Sequence, residues 1–526
     1  MSAPEPSALS VHAAAAGATD IATPEDGSVR CRLPRWEIPA FADRLAGLGL
    51  SLELLAATDT RPETGDFTLT YVFAPLAPRH PLVALVSVPA DTPHFPSLAT
   101  RSFPASRFER EIHDLFGLTP TGHPEPRRLA LHQFWPEGYH PLRRDVAARR
   151  DFVDAGQPFP FRRVEGAGIF EITVGPVHAG IIEPGHFRFS VEGEEIVSLE
   201  TRLGFVHKGT EKLFETLPLA RTAELAERVS GDESVAHALA YCQALERLAG
   251  VAVPPRAAWL RVALLELERL YNHVGDVGMI VNDTGFAWGH AHCFRLREEL
   301  LRLNARLTGH RLLRGAVVPG GVAESIAAGT LDEAAETVGR LIAAFQEIAR
   351  VCLDNTLVLE RLQGTGRLGT RTAREMGVVG LVARASGVDA DLRRDAPFAA
   401  YAELEVAPAV YPQGDVWART MVRLDEAREA ARLIAVAARR LPGGATRVPL
   451  PPLRAAGDAL SCVEAWRGPI WYWVSTAGPD SLRRVKIVDP SFRNWPALEL
   501  AVLDNIVPDF PLCNKSFNLS YSGSDL

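Results

Sequence analysis

The stretch Glu227-Arg228-Val229-Ser230-Gly231-Asp232-Glu233-Ser234-Val235-Ala236-His237 gathers carboxylates, hydroxyls and an imidazole around one glycine, just ahead of an apolar run. Ser230 and His237 lie seven residues apart, with Glu233 three after the first and four before the second. In a helix that spacing brings all three side chains onto one face. Two readings follow. Ser-x-x-Glu is the pattern of a helix capping box, and the same cluster is suited to orienting a ligand that accepts protons. The flanking sequence has to separate them.

Downstream, the pattern is helical from about 205 to 440. Ala263, Leu267, Leu270, Val274 and Val277 recur at spacings of three and four, as do Leu296, Leu300, Leu303 and Leu307. Ala334, Val338, Leu341, Phe345, Ile348 and Cys352 form a third stripe. Such stripes predict the core of a helix bundle, with packing as the role of nearly all of them. Strand character returns in Ile470-Trp471-Tyr472-Trp473-Val474 and Val485-Lys486-Ile487-Val488. Upstream, Phe187, Phe189 and Val191 alternate with Arg188 and Ser190 ahead of a Glu192-Gly193-Glu194 turn.

The first 150 residues read differently. Residues 1–28, rich in Ala, Pro and Ser, predict a flexible tail rather than a signal peptide. Trp36 to Leu55 predicts a short amphipathic helix, Phe67 to Phe73 a half-buried strand and Leu82 to Val88 its neighbour. Phe108 to Phe116 predicts a helix closed by Gly117. His113, His123 and His140 are expected to satisfy loop backbone groups. The domain ends near 150, and 151–168 reads as a linker. The fold class is therefore α+β: a small α/β domain over 29–150, then a large, mainly helical domain with small sheets over 169–526.

The 526 residues suffice for several domains, and a net charge of −8 argues against nucleic acid as a partner. No apolar run approaches the roughly 20 residues of a membrane span. Six cysteines stand at 31, 242, 293, 352, 462 and 513, without any Cys-x-x-Cys, so no zinc or iron–sulfur site is legible. Gly364-Thr365-Gly366 is too short for a dinucleotide-binding turn.

Several motifs carry a resemblance. In the first domain these are Phe108-Glu109-Arg110-Glu111-Ile112-His113-Asp114-Leu115-Phe116-Gly117, Gly122-His123-Pro124-Glu125-Pro126-Arg127-Arg128 and His140-Pro141-Leu142-Arg143-Arg144-Asp145. In the second they are Gly175-Pro176-Val177-His178, Glu183-Pro184-Gly185-His186-Phe187, His207-Lys208-Gly209-Thr210-Glu211-Lys212, Pro319-Gly320-Gly321-Val322 and Gly414-Asp415-Val416-Trp417-Ala418-Arg419. With these the chain resembles a fusion of the C-type and D-type subunits of the proton-pumping NADH:quinone oxidoreductase (complex I). It is also similar to the large subunit of membrane-bound nickel–iron hydrogenases of the formate hydrogenlyase type.

In those hydrogenases the opening motif reads Glu-Arg-x-Cys-Gly-x-Cys-Ser-x-x-His, with a second Cys-x-x-Cys near the C-terminus. Here Ser230 and Glu233 match the first two cysteines. The second pair is expected in Asp509 to Ser516, where Cys513 remains and Ser516 replaces its partner. Soft thiolates are what such metals require, so the resemblance implies no nickel–iron centre and no metal bound by this chain. It implies that the C-terminal residues through Leu526 are not removed. It also implies a quinone pocket beside the lost metal, with His178 or His186 and Ser230 around the headgroup. Asp232, Glu233 and His237 are the candidate proton-handling, catalytic group, since quinone reduction consumes two protons.

Implied partners are a small iron–sulfur subunit, similar to the B-type subunit of complex I or to the hydrogenase small subunit, and antiporter-like membrane subunits. The iron–sulfur clusters are expected on the first of these. His207 and Lys208 are expected to orient a loop at the subunit interface. The implied location is cytoplasmic, peripheral on the inner face of the cytoplasmic membrane. The implied activity is electron transfer from the partner's cluster to a quinone or other acceptor, coupled to ion translocation. The alternatives are a scaffold with a vestigial pocket and, with least support, a working hydrogenase.

Overall fold

The computed structural model describes every residue except 1–4, 25–26, 77–79, 147–152, 154–157, 180–181 and 324–325. In the first domain a five-stranded sheet runs Thr19–Ala22, Val29–Arg32, Leu82–Pro89, Asp66–Pro75, Leu50–Thr58 in spatial order. All neighbours are antiparallel except Val29–Arg32 beside Leu82–Pro89. The helices Ile38–Gly47 and Phe103–Phe116 pack on it, the latter ended by Gly117 in the left-handed region at φ 69°.

Three expectations need correction here. The proposed flexible tail contains a helix, Pro6–Ala15, and a strand, Thr19–Ala22, with Leu9 and Ala13 fully buried. The proposed helix over Trp36 to Leu55 stops at Gly47. The chain turns at Gly49 (φ 80°), and Leu50–Thr58 becomes an edge strand, because Leu50-Ser51-Leu52 alternates where a helix would not. The strand Asp66–Pro75 is buried on both faces rather than half-buried, since helices cover one side of the sheet and the second domain the other. Of the proposed linker, only Val153 and 158–168 are among the described residues. There Phe159 lies beneath the Arg127 and Arg202 guanidinium groups.

The second domain opens with the antiparallel sheet Ile169–Val174, His186–Glu192, Glu195–Arg202, its hairpin turning at Gly193. The predicted helical stripes fall on Pro255–Asp283, Ala287–Thr308 and Ala328–Leu353, which pack with Val416–Arg440 into the bundle core.

The sheet Asp458–Glu464, Pro469–Gly478, Ser481–Val488 joins the two domains through its alternation. Ile470, Tyr472 and Val474 face the helical core, while Trp471 and Trp473 face the core of the first domain. Lys486 points the same way as Val488, and its ammonium donates to Glu111 at 2.7 and 2.8 Å and lies 3.3 Å from Glu211. Arg484 bonds Glu211 at 2.7 Å and the Ala57 carbonyl at 3.0 Å. Two cations and two carboxylates thus balance inside the joint. Removing one partner strands a buried charge, so Lys486→Ala should lower unfolding stability by about 3 kcal/mol, read as a shift in the denaturant midpoint of the full chain.

Candidate active site

The loop Glu227–Glu233 connects the helix Leu219–Ala226 to the helix Ser234–Ala249. The capping-box reading does not hold. Glu233 is itself the N-cap residue and makes no side-chain cap bond, and Ser230 lies ahead of the helix. The open N–H groups of Val235 and Ala236 are instead met by the Glu268 carboxyl, at 2.6 and 3.0 Å, from the neighbouring helix. Freed from capping, Glu233 turns inward toward His237, and both side chains are fully buried.

Three groups surround this pair. Arg467 makes a two-pronged bond to Asp232, at 2.9 and 2.6 Å, and approaches Glu233 Oε2 at 3.0 Å. Asp489 lies 3.2 Å from His237 Nε2, and Tyr472 Oη lies 3.0 Å from Nδ1. Among the described residues, neither oxygen of Glu233 has a hydrogen-bond partner. Ligand atoms of Glu233, His237 and Asp489 lie within 4.8 Å of one another.

The electrostatics split the carboxylates. Burial works to raise the Asp232 carboxyl, but the Arg467 charge overrides it and holds the group below its ordinary range. Asp489 is likewise lowered, its burial outweighed by His237 and Arg467. Glu233 goes the other way: burial and the charges of Asp489 and Asp232 outweigh Arg467 and push it well above the ordinary carboxylate value. Burial pushes Glu268 up to about 8. At neutral pH the site therefore holds ionised and protonated carboxyls side by side, the pattern found where protons are exchanged.

In front of Asp232 opens a cavity of about 280 Å³, walled by Ser230, Asp276, Arg297, Lys515 and Tyr521 among others. Of the residues expected at a quinone headgroup, Ser230 is on this cavity and the two histidines are not. His178 is tied through Nε2 to the Gly185 carbonyl at 2.7 Å. His186 lines a separate recess with Phe161, Arg188 and Phe205.

A further correction concerns the C-terminal half of the site. Ser516 bonds the Cys513 carbonyl and Arg419 inside the helix Phe510–Phe517, and neither residue borders the cavity. Ser520 is the residue facing Ser230, with the two hydroxyl oxygens 2.8 Å apart. Three residues on, Gly523 leaves its side-chain space to Asp489, whose Oδ2 a Cβ there would overlap. The positions lining the site are thus Ser230, Glu233, Ser520 and Gly523. A donor set without sulfur among them does not fit a nickel–iron centre.

Comparison with known proteins gives this arrangement its context. Residues 32–151 match the family described as respiratory-chain NADH dehydrogenase, 30 Kd subunit, and residues 283–455 match the 49 Kd subunit of the same enzyme. Formate hydrogenlyase subunit 5 of Escherichia coli (strain K12) is 33% identical over 90% of this chain and 84% of its own length. The chain belongs to this family of fused complex I-like and hydrogenase-like subunits. The C/D subunit of the NADH-quinone oxidoreductase of Phocaeicola vulgatus is 30% identical over 75% of the chain and 80% of that protein. Among solved structures, a chain of the membrane-bound sulfane sulfur reductase, an archaeal respiratory membrane complex, superposes with a TM-score of 0.65 at 28% identity. The match covers 68% of this chain and 99% of that one. Those relatives are named as subunits of larger assemblies, and no helix among the described residues of this chain is long and apolar enough to cross a membrane.

Of the histidines expected to satisfy loop backbone, His113 bonds the Leu118 carbonyl and His123 accepts from the Glu125 N–H, while His123 Nε2 and His140 Nδ1 bond the Ser106 and Asp114 carbonyls of the helix Phe103–Phe116. His207 bonds the Asp525 carbonyl of the helix Tyr521–Asp525, and Lys208 bonds the loop carbonyls of Arg228 and Val229. Arg467, Asp489, Glu268 and Ser520 escape a reading of the sequence. Only Asp489 carries a local signal, as the cap ahead of Pro490, and that role it does fill through Ser491 N.

Glu268 supplies a pH test. Its carboxyl is raised in the fold, so the folded state keeps a proton that the unfolded chain releases near pH 4.5. The stabilisation present below that pH is lost as pH climbs toward 8. Between pH 5 and 8, unfolding free energy should fall less steeply in Glu268→Gln than in the wild type, as read from denaturant midpoints across the range.

Proposed function

We propose that this protein forms the acceptor site of a membrane-bound oxidoreductase. Two electrons arrive from an iron–sulfur cluster on a small partner subunit. A quinone or another two-electron acceptor in the cavity takes them up together with two protons. The observation that carries this reading is the fully buried Glu233, its carboxyl pushed well above the ordinary value first by burial, next to Asp232, which borders the cavity and which Arg467 holds below that value. Where the hydrogenases of the resemblance have thiolates, this chain offers groups that hold and pass protons.

Within the site the roles divide by position. Arg297, stacked on Tyr271 and Phe294 at the cavity wall, is placed to donate to an acceptor carbonyl as negative charge develops there. The Ser230 hydroxyl, joined to Asp232 at 2.9 Å, hands a proton toward the same space. Glu233, buried behind Asp232 and converging with His237 and Asp489, is the proton store of the site. In the assembly the protein sits peripherally on the inner face of the membrane, next to antiporter-like subunits, and proton uptake at Glu233 is the step through which reduction is linked to ion movement.

A scaffold reading is favoured by one feature, the closed Arg467 ion pairs that a merely structural loop would also make. The two readings part on Glu233→Gln, which keeps the shape and removes the exchangeable acid. In the purified complex it should lower acceptor-dependent turnover by about 100-fold, the scale of a lost general acid or base, while the set of proteins in the complex is unchanged. Wild-type turnover in that variant would leave only the scaffold.

A further inference from the structure

Glu233 and His237, four residues apart at the start of one helix, converge in the interior with Asp489 from a distant segment, with none of the three side chains exposed. The His237 Nε2 and Asp489 Oδ2 atoms are 3.2 Å apart. Two ligands bound to one metal ion at about 2.1 Å stand ~3.4 Å apart in tetrahedral geometry, so this separation suits either a shared proton or a shared cation. Glu233 completes the triangle, and it is the anomalous member. A fully buried carboxyl with no hydrogen-bond partner at either oxygen among the described residues has little to offset the cost of its desolvation. Arg467 reaches only Oε2, and only as an ion pair. Oε1 is left facing the interior without a hydrogen-bond partner.

The charges point the same way. With Glu233 ionised, the carboxylates of Asp232, Glu233 and Asp489 face the single guanidinium of Arg467, which leaves two negative charges in a closed space. One divalent cation neutralises them. The surrounding groups suit a ligand shell as well. With its Nδ1 hydrogen donated to Tyr472 Oη, at 3.0 Å, His237 presents the Nε2 lone pair inward. Asp489 is oriented by Ser491 N, which donates to Oδ1 at 2.7 Å and leaves Oδ2 for the site.

We infer that Glu233, His237 and Asp489 form a binding site for a divalent cation of borderline or hard character, of the zinc or manganese class. One nitrogen and two carboxylate oxygens are the donor set those ions take, and the set offers nothing to an ion that demands thiolate. The inference goes beyond the acceptor reading, since an absence of metal binding leaves Glu233 as an acid able to deliver protons.

Cobalt(II) alone is the probe, added to the full-length protein in its purified complex after chelator treatment and desalting. Bound to a nitrogen and two oxygens, it should give d–d absorption bands at one equivalent per chain, without the charge-transfer band of a thiolate ligand. Zinc should displace it. Zinc and manganese contents avoid the iron of the partner's clusters. Glu233→Gln and Asp489→Asn should each weaken cobalt binding by at least about 10-fold, the scale seen even for the loss of outer-shell partners. Cobalt that binds equally in the wild type and both variants lies elsewhere and overturns the site, as does a wild type that shows no bands. Where neither variant folds, the wild-type Tm decides. A rise with one equivalent of cobalt, reversed by chelator, supports the site, and an unchanged Tm overturns it.

Discussion

One buried guanidinium governs this structure. Arg467, 3% exposed, lies flat on Trp466 at 3.8 Å and reaches Asp232, Glu233 and the Asn518 carbonyl. It thereby fastens the loop before the helix Ser234–Ala249, the turn between two strands of the joining sheet and the C-terminal segment. Removing such a cation from water costs several kcal/mol, which its partners must offset. Its two carboxylates are adjacent in sequence and cannot be served equally. Asp232 receives both prongs, while Glu233 receives one approach outside hydrogen-bond geometry. Burial and the neighbouring carboxylates therefore push Glu233 above the ordinary carboxylate value, while at Asp232 the same guanidinium outweighs burial and holds the group below it.

The same pairing of charge extends through the bundle. On the helix Pro255–Asp283, Glu266 and Arg269 sit three apart and would read from sequence as a solvated surface pair. Both are fully buried, and Arg393, Asp391, Arg384, Glu464 and Glu426 continue the alternation of sign between helices. His273 ends one branch at Glu426, 2.9 Å away. The apolar stripes were legible because they repeat with the helical period. Burial of the opposite face was not, because a charged residue paired across the core leaves no trace in the periodicity of its own helix.

The site was legible in the same uneven way. The cluster from Ser230 to His237 announced itself by residue type, and its members do converge on one place. Its second half was sought at Cys513 because sulfur is the signal a reader follows when looking for lost thiolates. Ser520 and Gly523 carry no such signal, and only the contact between the Ser230 and Ser520 hydroxyls reveals them. Arg467 and Asp489 are more than two hundred residues from Glu233, so no local pattern could pair them. His178 and His186 were read from a short motif, and their rings bond the nearby carbonyls of Gly185 and Gly175. At the N-terminus, an Ala-rich segment too weak in amphipathic pattern to announce a helix becomes one by burying Leu9 and Ala13 on the sheet.

These details bear on whether the chain is a hydrogenase with a few substitutions or a protein committed to other chemistry. Replacing Ser230, Glu233 and Ser520 by cysteine would restore three sulfurs without crowding the backbone. The fourth position is different. A side chain at Gly523 would overlap the Asp489 carboxylate, and Asp489 is held from the other side by His237 and Ser491. The carboxylate and a fourth sulfur therefore compete for one volume, and the chain has given it to oxygen. Oxygen and imidazole donors bind protons and hard cations, whereas a redox metal pair needs the soft, covalent sulfur they displaced. Steric exclusion by Asp489 makes that choice a property of the packed site as a whole, beyond the identity of any one lost cysteine.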